Sequence, residues 1–197
     1  MAKTVKPKFI LCIDWETSGT TWTTHEQTFK QFQGISFGAV IADAETFEPV
    51  ETLYQIVKFD DKYTWSAEAE AIHGISREFL AENGVEREEA ALALAELIIK
   101  YFGIGTKVMF AGHNTWFDIH ATKQLLEEFG VMPEIHHVVL DSAPTAFVAI
   151  NEYKSDVVFD LLGGIVRKQH NALEDALLSL SVLRNINKFF ATGLAAS

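Results

Sequence analysis

The feature that most constrains this chain is an apolar run, Phe9-Ile10-Leu11-Cys12-Ile13, that closes directly on Asp14-Trp15-Glu16. A short apolar run of this kind reads as a strand, and without polar alternation it suits a central one. Residues two apart in a strand face the same side, so Asp14 and Glu16 point together while Trp15 points the other way, into packing. Two carboxylates on one face repel unless a cation lies between them. The alternative is a solvated strand tip, and on position alone the two readings stand level. Gly19 then allows a sharp exit from the strand.

Around that strand the pattern alternates. Lys8–Asp14, Gln33–Asp43 and Val50–Phe59 are three strand candidates joined by short links, which predicts an antiparallel meander. Glu86–Phe102 is helical, with Leu94, Leu97, Ile98 and Tyr101 recurring at spacings of three and four. Lys107–Ala111 reads as a strand, Thr115–Phe129 as a helix stopped by Gly130, and His137–Asp141 as a further strand. Asn171–Phe190 reads as a closing helix with Leu173, Leu177, Leu180 and Leu183 along one side. This order predicts an α/β fold, a mixed five-stranded sheet with its first three strands antiparallel and helices on its faces. Ligands in such sheets gather at strand ends, where Asp14, Asp118 and Asp141 are expected. With no repeat, low-complexity tract or linker, residues 1–197 are expected to form a single domain.

Charge narrows the partners. The net charge of −11 excludes the broad basic face with which proteins hold long duplexes. If the chain handles nucleic acid, it grips a short end, with metal ions neutralising much of the phosphate charge. Solvated acidic helices around Glu82–Glu96 account for most of the surplus, but not for acids set inside apolar runs. Phe9–Ile13 is too short for a signal-peptide core, and no window approaches the roughly 20 apolar residues that cross a bilayer. No membrane partner is therefore expected. A single cysteine, Cys12, excludes an internal disulfide and points to the cytoplasm.

Two further constellations carry acids. In Gly112-His113-Asn114-Thr115-Trp116-Phe117-Asp118 a strand ends and a helix begins at once, with Asn114 or Thr115 as its cap. Asp118 falls in the first turn, where it either complements the helix dipole or binds a ligand. His113 reads as a hydrogen-bonded core histidine. In His170-Asn171-Ala172-Leu173-Glu174-Asp175, Asn171 and Glu174 form an N-x-x-E capping box, which leaves His170 on the loop. Five helical residues would rotate His170 and Asp175 apart, so they are not read as two ligands on one helix face. A loop histidine beside a helix-borne acid suits a base next to a metal ligand, and equally a surface histidine with a dipole-complementing aspartate.

Taken together, the segments resemble the DEDDh exonucleases, the DnaQ-like group of the ribonuclease H-like fold. The motif Asp-x-Glu-Thr-x-Gly stands as Asp14 to Gly19, Gly-Ala-Val as Gly38-Ala39-Val40, and His-Gly-Ile-Ser as His73 to Ser76. His-Asn-x-x-Phe-Asp stands as His113 to Asp118, and His-x-Ala-x-x-Asp-Ala as His170 to Ala176, in the family's order over residues 8 to 185. The resemblance implies Asp14, Glu16, Asp118 and Asp175 as metal-binding acids and His170 as general base. It implies a 3′–5′ exonuclease that works on single-stranded nucleic acid 3′ ends and releases nucleoside 5′-monophosphates. Two ions, Mg²⁺ or Mn²⁺, suit an oxygen-rich carboxylate site and clamp an in-line phosphoryl displacement.

The 3′ end is expected near Thr17 and Ser18, with Phe117 either stacking on a base or packing in the core. Trp22 is a weaker stacking candidate, and Arg167 and Lys168 are candidates for phosphate contact on a loop otherwise read as solvated. The link Thr20–Phe32 is longer and more polar than the family's usual one, and Trp15 is bulkier than the common residue. The competing readings are a small-nucleotide phosphodiesterase and a catalytically inactive nucleic-acid-binding module. Protein partners, oligomeric state and the choice between DNA and RNA are not written in the sequence.

Overall fold

The computed structural model describes residues 6–21, 23–164 and 170–195. Its sheet has five strands in the order β3-β2-β1-β4-β5, with β1 (Phe9–Thr17) at the centre. β2 (Gly34–Asp43) pairs antiparallel with β1 and with β3 (Pro49–Ile56). On the other side β4 (Phe110–Gly112) runs parallel to β1, and β5 (Leu140–Asp141) runs parallel to β4. The mixed α/β sheet expected from the sequence is present, including the antiparallel meander.

The two faces of the sheet follow from strand alternation. Leu11, Ile13 and Trp15 of β1 join Phe37, Ala39 and Ile41 of β2 in the larger core. That core is covered by α4 (Arg87–Phe102) through Leu94, Leu97 and Ile98, and by α5 (Thr115–Glu128) through Ile119 and Leu125. On the opposite face Ile10, Cys12, Val40 and Ala42 meet Ala176, Leu180 and Leu183 of α8 (Ala172–Ala195). Asp14 and Glu16 continue this second row, beyond Ile10 and Cys12.

Glycine sets how closely α8 lies on the sheet. A Cβ at Gly38 would stand 2.2 Å from Leu173 Cα and 2.3 Å from Leu173 N, so only a residue without a side chain admits the first turn of α8 here. Gly38 is paired in register with Asp14. The contact therefore fixes the start of α8 directly over the β1 carboxylates.

Several expectations are corrected. β1 runs to Thr17, so Asp14 lies within the strand and not at its end. The reason is that β2 keeps pairing with β1 as far as Thr17↔Gly34. β3 stops at Ile56, after which Val57 makes a lone bridge to Val85. β4 is Phe110–Gly112, because Val108 bridges to Ile135 outside the strand. The link after Gly19 folds into α1 (His25–Gln31), capped by Thr24, whose side chain accepts from Gln27 N–H. Short helices α2 (Ala67–His73), α3 (Arg77–Asn83), α6 (Ser142–Ile150) and α7 (Ser155–Val158), and a π-helical turn at Phe159–Gly163, have too few periods to register as apolar repeats. Among the described residues no helix is long and apolar enough to cross a membrane.

Candidate active site

Three elements deliver acids to one cleft. β1 supplies Asp14, which is half-buried, and Glu16, which is buried. α8 supplies Asp175, which is 2% exposed. Asn171 caps α8, its Oδ1 accepting from Leu173 N–H (3.1 Å) and Glu174 N–H (3.2 Å), as the capping pattern predicted. His170 stands just before this cap. Its Nδ1 is 3.9 Å from Asp175 Oδ2, and one ligand atom each of Glu16, His170 and Asp175 lie within 4.8 Å of one another. This corrects the reading that kept His170 and Asp175 apart. Helical rotation does not apply to a residue outside the helix, and His170, just before the cap, lies close to Asp175.

α5 supplies Asp118, 3% exposed, whose Oδ1 accepts from Trp15 N–H (2.9 Å). β4 is too short to pair with β1 at Trp15, so the carboxylate takes the place of a strand carbonyl. Burial pushes the Asp118 carboxyl well above the usual carboxylate range, and the charges of Asp141 and Glu16 push it the same way. The Trp15 N–H and its own backbone N–H act against that shift. Trp15 itself turns to the other face, as expected, where its indole N–H donates to Thr122 Oγ1 (3.0 Å).

The start of α5 is held by Asp141, which sequence reasoning had placed only among the acids at strand ends. Asn114 adopts the left-handed conformation (φ 58°) and makes no side-chain cap. Instead Asp141 Oδ1 accepts from Asn114 N–H and Ala143 N–H, and its Oδ2 from Thr115 N–H, each at 3.0 Å. One carboxylate thus caps α5 and α6 together. The available signal was an acid at a strand end directly before Ser142-Ala143-Pro144.

Asp14, Glu16, Asp118, His170 and Asp175 all line a cleft of about 240 Å³, together with His113, Asn114, Phe117, Ser155 and Phe159. His113 is hydrogen-bonded, as expected, but it is half-buried in the cleft and not a core residue. Its Nε2 donates to Tyr153 O (2.9 Å) and its Nδ1 meets Ser142 Oγ (2.8 Å). On the sheet side, burial pushes the Tyr54 phenol up, and the charge of Glu16 adds to the shift.

A second cleft of about 450 Å³ adjoins the first and shares Trp15, Glu16, Asn114 and Phe117 with it. Thr17 lines it. Ser18, whose backbone was expected near the 3′ end, is not among the residues that line it. It is fully buried, its N–H donates to Gln33 O (2.8 Å), and its carbonyl accepts from Ser66 N–H (2.8 Å). Its hydroxyl is also engaged, donating to Thr64 O (2.8 Å) and accepting from Gln33 N–H (2.9 Å). Phe117 packs against Phe29 (5.0 Å between ring centroids) and lines both clefts. His73 is 3% exposed and lines the larger cleft, with Nδ1 accepting from Ile75 N–H (3.0 Å). Burial lowers its pKa, and nearby His170 lowers it further. The expectations for Trp22, Arg167 and Lys168 lie outside the described residues.

The chain matches the RNase_T family model, described as "Exonuclease", over residues 11–183. Among curated protein sequences none matches at a significant level. Among solved structures, E. coli exonuclease I in complex with a 5cy-dT13 oligonucleotide is similar at 16% identity and a TM-score of 0.69, covering 95% of this chain and 44% of that one. E. coli exonuclease I with a dA16 oligonucleotide gives 17% identity and a TM-score of 0.71, with 94% and 43% covered. A moderately thermophilic exonuclease I from Methylocaldum szegediense gives 19% and 0.66, with 91% and 40% covered. At these identities the likeness establishes the fold, and the chain spans less than half the length of each of these proteins.

Proposed function

The chain belongs to the exonuclease family defined by that match, and from this premise we propose that it is a divalent-metal-dependent 3′–5′ exonuclease. It would hydrolyse single-stranded DNA or RNA from a 3′ end and release nucleoside 5′-monophosphates. The observation that carries the reading is the convergence of Asp14 and Glu16 from β1, Asp118 from α5, Asp175 from α8 and His170 from just before it on one cleft.

The donor set fits hard divalent ions. Four carboxylates offer oxygen ligands, which suit Mg²⁺ or Mn²⁺ better than softer metals. Asp118 sits against Glu16 and Asp141 with burial opposing its charge, a crowding that a cation relieves. In the proposed assignment Asp14, Glu16, Asp118 and Asp175 hold two ions. When bound, the ions would neutralise phosphate charge and make a water acidic enough to attack.

The protein's own groups do the rest. Asp118 is oriented by Trp15 N–H, and Asp175 is carried in the first turn of α8. His170, on the loop before the cap, takes the proton of the attacking water. Its neighbour Asp175 Oδ2, 3.9 Å away, steadies the imidazolium that results. Thr17 and Phe117 line the adjoining cleft where the terminal nucleoside would lie.

Because Glu16, His170 and Asp175 group within 4.8 Å, a second reading makes His170 a metal ligand. Mn²⁺ titration of His170→Ala separates the two: unchanged affinity supports the base, and lost affinity supports the ligand. The function itself is tested with single- and double-stranded DNA and RNA oligomers labelled at the 5′ end, with Mg²⁺, Mn²⁺ or EDTA. Stepwise shortening from the 3′ end that stops in EDTA is expected. Cleavage of a circular single strand, or turnover in EDTA, would overturn the proposal.

A further inference from the structure

We infer that His25, carried by the helical link after β1, recognises the base of the 3′-terminal nucleoside held in the larger cleft. The inference rests on the exonuclease reading for the identity of the occupant, and adds the residue that selects among bases.

The link is firmly built. Gln124 of α5 donates through Nε2 to Phe29 O (2.7 Å) and Phe32 O (2.6 Å), and its Oε1 accepts from Gly34 N–H (3.1 Å). Phe29 packs on Phe117. Gly19 makes room for the return of the chain, since a Cβ there would stand 2.3 Å from the Phe32 ring. Helix α1 is therefore a fixed wall, and His25 at its start faces the cleft.

The chemistry of that wall points to a neutral, aromatic ligand. Thr20, Thr21, Thr23 and Thr24 line the cleft beside His25, and Phe117 offers it an aromatic surface. No Lys or Arg is among the described residues that line it, and Glu16 at the shared boundary repels anions. Such a cleft does not bind a phosphate, but it does suit a base and sugar. A volume of about 450 Å³ lies within the range of small-ligand sites, about 300–1,000 Å³.

His25 is placed to read the base edge. Its ring meets Phe117 edge-on, with centroids 5.5 Å apart and planes at 85°. A base entering the cleft beside Phe117 would meet His25 and the threonine hydroxyls on the same wall. Burial and the neighbouring His120 lower the His25 pKa, so near neutrality the ring is uncharged, with one N–H donor and one acceptor. Both are suited to the donor and acceptor groups of a base edge.

The test uses two measurements on the wild type, His25→Ala and His25→Phe. The first is equilibrium binding of the four nucleoside 5′-monophosphates with Mn²⁺ present. The second is kcat and KM on oligomers that differ only in the 3′-terminal nucleotide. Both variants should bind the preferred monophosphate about 2- to 10-fold more weakly, the worth of a hydrogen bond. The spread among the four bases should narrow, with the change in KM and not in kcat. His25→Phe keeps the ring packing, so its loss of selectivity cannot come from a disordered α1. Wild-type affinities and preferences in His25→Phe would overturn the inference while leaving the exonuclease reading intact. Conversely, His25-dependent monophosphate binding in a protein that does not shorten 3′ ends would refute that reading and keep the nucleoside site.

Discussion

Helices α5 and α8 each bring an acid to the same cleft, but their first turns are held in different ways. α8 is capped from within: Asn171 lies one residue before the helix and accepts from Leu173 and Glu174 N–H. α5 borrows its cap. Asp141, on a different strand, accepts from Asn114 and Thr115 N–H, and Asn114 takes a left-handed conformation to allow it. A local cap can be replaced by water or a neighbouring side chain. A borrowed cap joins β5, α5 and α6 in one set of hydrogen bonds, and Asp118 depends on that joint. Of the two acid-bearing turns, the one on α5 is therefore the more tightly tied to the rest of the fold.

The largest expected effect lies at the α8 end. His170→Ala should lower kcat on the order of 10²–10⁴-fold, the usual worth of acid–base catalysis, with little change in melting temperature. Turnover should rise with pH as the wild-type imidazole loses its proton, and that limb should vanish in the variant. An unaltered pH–rate profile would mean that another group takes the proton. Asp141→Ala comes next, at about 3 kcal/mol of stability, because three backbone N–H groups lose one acceptor. Mn²⁺ binding should weaken with it, as Asp118 loses its fixed helix. Denaturant melts and Mn²⁺ titration check this, and a loss below that of Asn171→Ala would reverse the comparison drawn here.

Gly38→Ala should cost about 1–3 kcal/mol, the range for forcing a group into a packed site. The obstacle is the backbone of Leu173, so α8 must shift and activity should fall along with stability. A fully active, fully stable variant would show that α8 tolerates displacement from the β1 carboxylates. Asn171→Ala should cost only about 1 kcal/mol, the typical value of a lost N-cap.

The smallest effect concerns His73, in the lining of the larger cleft. Burial lowers the His73 pKa below the unfolded value near 6.5. The unfolded chain therefore takes up the proton first as pH falls. Stability from this group is fully present above that value and is lost as pH drops through it toward the folded pKa. Between pH 7 and pH 5 the wild type should lose more stability than His73→Asn, measured by chemical denaturation at each pH. Parallel curves would remove His73 from the account.

Much of this was legible in the sequence. The run into Asp14-Trp15-Glu16 specified a central strand with its acids on one face and Trp15 on the other, because strand alternation is set by the backbone itself. The Asn171 cap was legible because its partners lie two and three residues away. The sheet followed from the order of long periodic segments. Tertiary structure alone decided the rest. The burial of Ser18 depended on Gln33, Thr64 and Ser66, which its own neighbourhood does not name. The approach of His170 to Asp175 depended on how a loop folds outside the helix. The role of Asp141 depended on α5 beginning beside β5, 26 residues away in the case of Thr115. A pattern of a few residues can encode which atoms are satisfied within one turn or one strand. It cannot encode which distant backbone groups will be left without a partner, because only packing the elements together creates them.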